Sequence, residues 1–454
     1  MKYNILKYSA VCSSLMIAFC ANAATPEGFH SHGYLAYGVG FTNDEVLNQG
    51  AYNWAQTGGN IFKLPGLYHA NSSAGRVGND GNWGQFHGDY GINQNDMNWG
   101  AHFMFSSNFS GVGASQTFMP EWVYVDAQGV FPSMPEATVW AGQKYVNRVY
   151  TPLVVNEAYA VDGRGFGVEN LPVGNSKLDL GLTRDLYNSY GNIKQGNMAI
   201  FSAALRGIDL TDSVNMELYA NYGTYVGSNR DEEVDSGDTF SDRNPDGFTT
   251  GLKFNHAPGG AFSHQAFLRY SSELRAASTR TWGFDPRPSE QIGGFFSGRY
   301  QLNSSTTLEY TYSHETAKYD ENARAGDGGA ASGGGAWAIN ATESNWDSFI
   351  IQGKYNWNTR TTTVVETGYE QIKYSAVNSA DDGTNSGYKV TLAQQLHIGN
   401  GQWDRPLIYF YLTYAEQDVE TYKPFDGIGW ASYDDSILGK KDALTAGVML
   451  EAWW

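Results

Sequence analysis

The chain has 454 residues, a formal charge of -18 at pH 7 and 41% hydrophobic residues. Aromatics make up 15%, with 30 tyrosines and 54 glycines, yet the mean hydropathy is -0.43. A bundle of membrane helices would be far more apolar, and an acidic chain repels nucleic acid, so composition argues against both classes.

The first residues read as a secretory signal. Lys2 and Lys7 give a basic start, residues 11–20 an apolar core, and Ala21, Asn22 and Ala23 an A-x-A cleavage site. Cleavage is expected after Ala23, which leaves 24–454 as one domain. A lipid anchor on Cys20 is the alternative, but Phe19 stands where such signals carry a small residue. Cys12 and Cys20 both lie in the signal, so the mature chain has neither disulfides nor thiolate chemistry. Removing Lys2 and Lys7 takes the charge from -18 to about -20.

Beyond Ala23 there is no run of about 18 apolar residues, so no transmembrane helix is expected. Short segments alternate instead. Leu35, Tyr37, Val39 and Phe41 share a face opposite Tyr34, Ala36, Gly38 and Gly40. Met216, Leu218 and Ala220 oppose Glu217, Tyr219 and Asn221; Leu268 and Tyr270 oppose Phe267 and Arg269; Leu308, Tyr310 and Tyr312 oppose Glu309, Thr311 and Ser313. Candidate strands start near residues 33, 83, 98, 119, 137, 165, 177, 198, 213, 248, 264, 291, 305, 346, 360, 386, 406 and 442, the one near 165 short enough to be loop. Asn303 and Ser304 form a short turn, whereas 41–82, 226–247, 315–345 and 417–441 read as long extracellular loops. Glu232, Glu233, Asp235 and Asp238 cluster in one of them, which reads as a solvated tip, and 324–335 is a Gly/Ala/Ser stretch.

The last eleven residues alternate strictly. Leu444, Ala446, Val448, Leu450, Ala452 and Trp454 share one face; Thr445, Gly447, Met449, Glu451 and Trp453 share the other. An apolar outer face, a polar inner face and a terminal aromatic describe a strand of an outer-membrane barrel. The expected fold is an all-β, antiparallel transmembrane β-barrel of about 18 strands, large enough for an aqueous channel. A soluble β-sandwich or propeller also alternates, but it explains neither the signal nor the terminal aromatic.

Chemistry beyond a pore finds little support. There is no G-x-S-x-G or H-E-x-x-H motif, and the nine histidines are scattered. His30 and His32 share a face near a strand start, as solvated turn residues commonly do. No catalytic residue, metal ligand or cofactor is assigned. A rim Ser/His pair, which spacing does not reveal, keeps an enzyme as the minor alternative.

Several stretches, in order along the whole chain, resemble the maltoporin family of trimeric, 18-stranded sugar porins, which includes sucrose and raffinose porins. They are His32-Gly-Tyr34, Arg76-Val-Gly-Asn79, Val139-Trp-Ala-Gly142, Gly165-Phe-Gly-Val-Glu-Asn170, Thr391-Leu-Ala-Gln-Gln395, Trp403-Asp-Arg-Pro406 and Glu451-Ala-Trp-Trp454. The resemblance implies an outer-membrane channel of a Gram-negative bacterium. Oligosaccharides of the maltodextrin, sucrose or raffinose type would diffuse through it along an aromatic slide. Tyr34, Trp83, Phe267, Trp403 and Trp453 match the slide, and all but Trp403, whose phase is unreadable, fall opposite the apolar side of their segments. Arg76 and Arg148 match arginines of the facing polar track. Gln85 stands where maltoporin has a carboxylate, and Ala36 where it has an arginine. The family's first-loop disulfide is absent.

The resemblance also implies a loop at about 149–162 that folds inward and narrows the pore, with Glu157 and Tyr159 as constriction contacts. The aromatic that the family's second loop donates to a neighbouring subunit would be Phe109 or Phe118. Fewer charges opposite the slide put maltodextrin in doubt as the preferred sugar. A general diffusion porin without sugar selectivity is the alternative, and the long loops would also suit a phage or adhesion receptor.

Overall fold

The computed structural model describes residues 24–43, 74–78, 82–108, 118–154, 156–185, 198–225, 246–273, 289–319, 341–376, 382–398, 405–422 and 435–454. The expected signal at 1–23, the acidic cluster at 232–238, the 324–335 stretch, Phe109 and Trp403 lie outside them. The strands are β1 (Gly28–Thr42), β2 (Trp83–Gln94), β3 (Met97–Asn108), β4 (Met119–Gln128), β5 (Thr138–Thr151), β6 (Asn156–Val173), β7 (Ser176–Asp185), β8 (Met198–Thr211) and β9 (Val214–Tyr225). They continue with β10 (Asp246–His256), β11 (Phe262–Ser272), β12 (Glu290–Gln301), β13 (Thr306–Lys318), β14 (Ala341–Asn356), β15 (Thr361–Ala376), β16 (Gly383–His397), β17 (Leu407–Val419) and β18 (Gly439–Trp453). Each pairs antiparallel with its sequence neighbours, and β1 pairs with β18, so the 18-stranded sheet closes on itself.

Alternation sets the register and the two faces. Leu268 is 60% exposed, Leu392 53% and Phe410 53%, while Arg269, Thr391 and Tyr411 beside them are buried. A large apolar belt left open to solvent would be a hazard; against lipid it is what a spanning strand needs. The short turns have local causes. Asn95 and Asp96, between β2 and β3, both take positive φ (55° and 59°), the pair of left-handed residues that a two-residue hairpin turn requires. At closure, the Gly33 and Trp454 backbones exchange hydrogen bonds of 3.2 and 3.3 Å. The Trp454 ring covers the outer side of Gly33, where a Cβ would overlap it.

Two expectations change. The segment near 165 is the 18-residue β6 rather than a short element or loop. The loops at 315–345 and 417–441 are shorter than expected, because β13 runs to Lys318, β14 starts at Ala341, β17 runs to Val419 and β18 starts at Gly439. At these ends the outward residues are polar (Lys318, Glu343, Asp418, Lys440), so pairing continues after the apolar alternation stops.

The β5–β6 hairpin explains the first change. β5 pairs with β4 only through Thr138–Gln143, and β6 pairs with β7 only from Gly163 onward. From Lys144 to Asp162 the two strands pair only with each other and leave the wall. Leu153 and Val154 at the tip pack on Ile350, a lumen-facing residue of β14. The inward-folded element is therefore a strand-paired hairpin, starting a few residues before the loop expected at 149–162.

Candidate functional site

The lumen side of β18, β1 and β2 carries one contiguous group. Tyr34 is paired with Trp453 on one side and Gln85 on the other; one step along, Ala36 lies between Glu451 and Trp83. Strand geometry thus places Tyr34, Trp83 and Trp453 on neighbouring strands facing inward, with Trp83 about 6.6 Å along the wall from the level of the other two. The Tyr34 and Trp453 rings stack, with centroids 6.5 Å apart and planes 26° from parallel. The small Ala36 side chain is buried in a cluster with Val77, Tyr411 and Met449, and Tyr34 packs against that cluster.

Charged groups hold this aromatic surface in place. Arg405 donates to Glu451 Oε2 through Nε (2.9 Å) and Nη2 (2.7 Å), a two-point contact. Its guanidinium carbon lies 4.1 Å from the centre of the Trp453 ring, in cation–π range. Arg76, from the connection between β1 and β2, donates through Nη2 to Glu451 Oε1 (2.8 Å) and to the Tyr34 hydroxyl (3.2 Å). The Tyr34 hydroxyl in turn donates to Glu451 Oε1 (3.2 Å). One carboxylate is thus shared by two guanidiniums and a phenol, and the Tyr34 and Trp453 rings are held in fixed orientations. Sequence reasoning assigned no role to Glu451 or Arg405. Glu451 was findable, since it shares the Trp453 face of β18; Arg405 lies just before β17, where alternation gives no phase.

A second group lies roughly half-way round the ring. Phe267 on β11 points inward as its phase predicts, but it is fully covered (0% exposed). Tyr159 from the hairpin lies edge-on to it, centroids 6.2 Å apart, and packs on Tyr219 at 5.2 Å. The Tyr159 hydroxyl donates to Asn221 Oδ1 on β9 (2.7 Å). Arg269 on β11 donates to the Ala158 carbonyl (2.8 Å), Gln291 (2.7 Å) and Glu315 (2.8 Å). Tyr159 and Phe267 therefore seat the hairpin, and in this arrangement neither ring offers a free face to the lumen.

Arg148 belongs to the hairpin. It pairs with Asp162, donating through Nε at 2.9 Å, lies 3.2 Å over the Tyr145 ring and donates to the Tyr150 hydroxyl (3.0 Å). Glu157 falls in β6, paired with Tyr150; its side chain lies outside the described residues. Gln85 is half-buried beside Tyr34. The structure thus brings Tyr34, Trp83, Trp453, Arg76 and Gln85 to one wall, and Phe267, Tyr159 and Arg148 to the hairpin and its seat. Phe118, just before β4, is 65% exposed.

Near the short-turn end of β1–β4, Asp89 lies 3.3 Å from His32 and 2.6 Å from His102, which is also 3.2 Å from Asp126. Among the described residues, no group of three or more potential ligands has the arrangement of a metal site.

Residues 29–454 match the family described as LamB porin. The chain belongs to that family. A relative named Maltoporin, from Vibrio cholerae serotype O1 (strain ATCC 39541 / Classical Ogawa 395 / O395), is 26% identical over 472 residues that span the whole of both chains. The Maltoporin of the El Tor Inaba N16961 strain is 26% identical over 466 residues, covering 99% of this chain and all of that one. Among solved structures, OccD3 (OpdP) of Pseudomonas aeruginosa aligns with a TM-score of 0.46 at 12% identity, covering 94% of this chain and 92% of that one. The outer-membrane channel DcaP of Acinetobacter baumannii aligns at 0.47 and 9%, covering 95% and 100%. As a LamB porin with a closed 18-stranded barrel, the protein is a channel of the Gram-negative outer membrane. The LamB porins are a family of channels rather than enzymes.

Proposed function

We propose that the protein mediates facilitated diffusion of oligosaccharides, with Tyr34, Trp83 and Trp453 as the contact surface and Trp403 as a further station. The observation that carries this reading is the inward-facing aromatic group on β18, β1 and β2, stiffened by Arg76, Arg405 and Glu451. Water-facing aromatics are costly unless something uses their planes, and the apolar C–H face of a pyranose matches them. Arg76 and Gln85 beside the rings supply hydrogen-bond donors for sugar hydroxyls.

By analogy with ring–ring contacts, each stack contributes about 0.5–1.5 kcal/mol. Several similar stations give guidance without a deep trap, as conduction requires. Affinity is expected in the millimolar range or weaker, about -4 kcal/mol or less favourable. Phe267 and Tyr159 enter this reading as the seat of the constricting hairpin. Arg148 stiffens the hairpin through Asp162, and Glu157 stands near its tip. Cleavage of residues 1–23 and assembly as a homotrimer complete the proposal, and both rest on the resemblance and the signal pattern. The relatives named Maltoporin make maltodextrins one candidate class beside sucrose and raffinose.

The test is single-channel conductance of the purified protein in a planar bilayer, titrated with maltotriose, sucrose and raffinose. Saturable, reversible block by any of them supports the sugar pore, and the ranking names the class. Steady conductance with all three favours a general diffusion porin.

A further inference from the structure

The connection between β1 and β2 enters the barrel at residues 74–78, and a fully buried ion pair meets it there. Lys389 on β16 and Glu366 on β15 both have 0% side-chain exposure, with Nζ 3.3 Å from Oε1. Lys389 Nζ also donates to the Gly75 carbonyl and to the Val77 carbonyl (2.9 Å). Glu366 Oε1 accepts from the Val77 amide (2.8 Å), and its Oε2 accepts from Gln352 Nε2 (2.6 Å). Thr391 Oγ1 adds a bond to the Val77 carbonyl (3.2 Å). The ammonium's three donors are thus all used, two of them on backbone of one five-residue segment.

The wall is shaped for this segment. Gly75 (φ +112°) lies so close to Glu366 that a Cβ would overlap the carboxylate, and a Cβ on Gly368 of β15 would overlap the Ala74 carbonyl. Gly78 (φ +73°) fits against Tyr411 and Thr413 of β17, where its Cβ would come within 2.9 Å of both. The bonds fall on residues 75 and 77 and leave the side chain between them, Arg76, to reach Glu451 and Tyr34 on the β18–β1 wall.

A buried ion pair is a poor stability device. Desolvating two charges offsets most of their attraction, and apolar replacements of similar shape are often as stable. A lysine facing a wet lumen also has the reach to keep its ammonium in water. The pair is better explained by what it grips. We propose that Lys389 and Glu366 are positioning residues for the channel: they clamp the 75–77 backbone and so set the Arg76 guanidinium beside the Tyr34–Trp453 station, where it takes part in sugar recognition. The recognition half of this inference rests on the sugar-pore reading; the placement half does not.

The experiment uses the full-length protein purified from outer membranes, with barrel folding checked by the heat-dependent shift on gels. Lys389→Met removes the donor at similar length, and Gly368→Val closes the seat from the neighbouring strand without changing charge. The expected result is that each variant weakens maltotriose block to the level of Arg76→Ala. Lys389→Met added to Arg76→Ala should weaken it no further, to within about two-fold.

Placement is read without sugar. With both native cysteines in the signal, Arg76→Cys supplies a single thiol, and a bulky charged thiol reagent should step down the conductance. That step should be lost in Arg76→Cys/Lys389→Met and in Arg76→Cys/Gly368→Val. Folded Lys389→Met and Gly368→Val channels with wild-type block and an undiminished labelling step would overturn the proposal. If Lys389→Met does not fold, Gly368→Val decides alone. If no sugar blocks the wild type while the labelling step still depends on Lys389, the sugar reading falls, the recognition role falls with it, and the clamp stands.

Discussion

Trp453→Ala tests the aromatic station most directly. In the folded barrel the indole stacks against Tyr34 at 6.5 Å and carries the Arg405 guanidinium carbon at 4.1 Å. Removing the ring leaves the Arg405–Glu451 contact at 2.9 and 2.7 Å and the Arg76–Glu451 contact at 2.8 Å, so the local charges stay in place. What is lost is one stacking plane, about 0.5–1.5 kcal/mol, which corresponds to a roughly two- to twelve-fold rise in the sugar concentration giving half-block. Open-channel conductance should hold or rise slightly, because the variant removes volume from the lumen side. Trp453→Phe keeps a ring of smaller area and should fall between the two. The assay is single-channel current noise during sugar titration, from which on- and off-rates are separated; the loss should lie mainly in the off-rate. Unchanged half-block in Trp453→Ala, with conductance retained, would refute the role of the ring. A loss beyond about 100-fold would refute the even division among stations, since it needs roughly 2.7 kcal/mol from one of them.

The remaining predictions concern the hairpin and the orientation of the wall. Tyr159→Phe deletes the 2.7 Å bond to Asn221 while keeping the ring packing, and should loosen the hairpin by about 1 kcal/mol, read as added open-channel noise without loss of folded barrel. Arg269→Met removes the bond to the Ala158 carbonyl and leaves Glu315 without that cation; a larger, noisier conductance is expected, and quiet wild-type current would count against the hairpin's seat. Leu268→Arg, at a position 60% exposed on the outer face, should destabilise the barrel by about 2–4 kcal/mol in a denaturant titration. Gln85→Arg, on the inner face, should fold normally and shift reversal potentials toward anion preference; the opposite pattern for this pair would invert the assigned faces.

Alternation carried the architecture because a barrel strand is a repeated local decision. Lipid on one side and water or polar side chains on the other impose period two on each segment, and β-pairing then follows sequence order without crossovers. All 18 strands could therefore be located, and Tyr34, Trp83, Phe267 and Trp453 received the correct face. The misjudged stretches lie where the two-solvent rule stops. At the outward ends of β13, β14, β17 and β18 the outer face meets no hydrocarbon, so Lys318, Glu343, Asp418 and Lys440 look like loop. In 144–162 neither face meets lipid, so the first part of β6 has no apolar alternation to read.

The site was legible only as far as it is built from single strands. Phase puts Phe267 inside; that Tyr159 then covers it depends on a hairpin reaching across the lumen, a contact 108 positions apart in sequence and without periodicity. The same holds for Arg76, which sequence assigned to the polar track by resemblance but whose placement depends on Lys389 and Glu366, about 300 positions away. Both inward elements are held by buried polar side chains of the wall acting on backbone carbonyls and amides, Arg269 on Ala158 and Lys389 on Gly75 and Val77. Backbone groups are identical at every residue, so such contacts leave little mark on the sequence of the segment they grip. The mark is on the wall, as a charged residue at a lumen position whose charge is turned away from the water. A strand pattern with an isolated inward Lys or Arg and a nearby inward glycine, as in Lys389 with Gly368, is then a readable sign that a loop docks there.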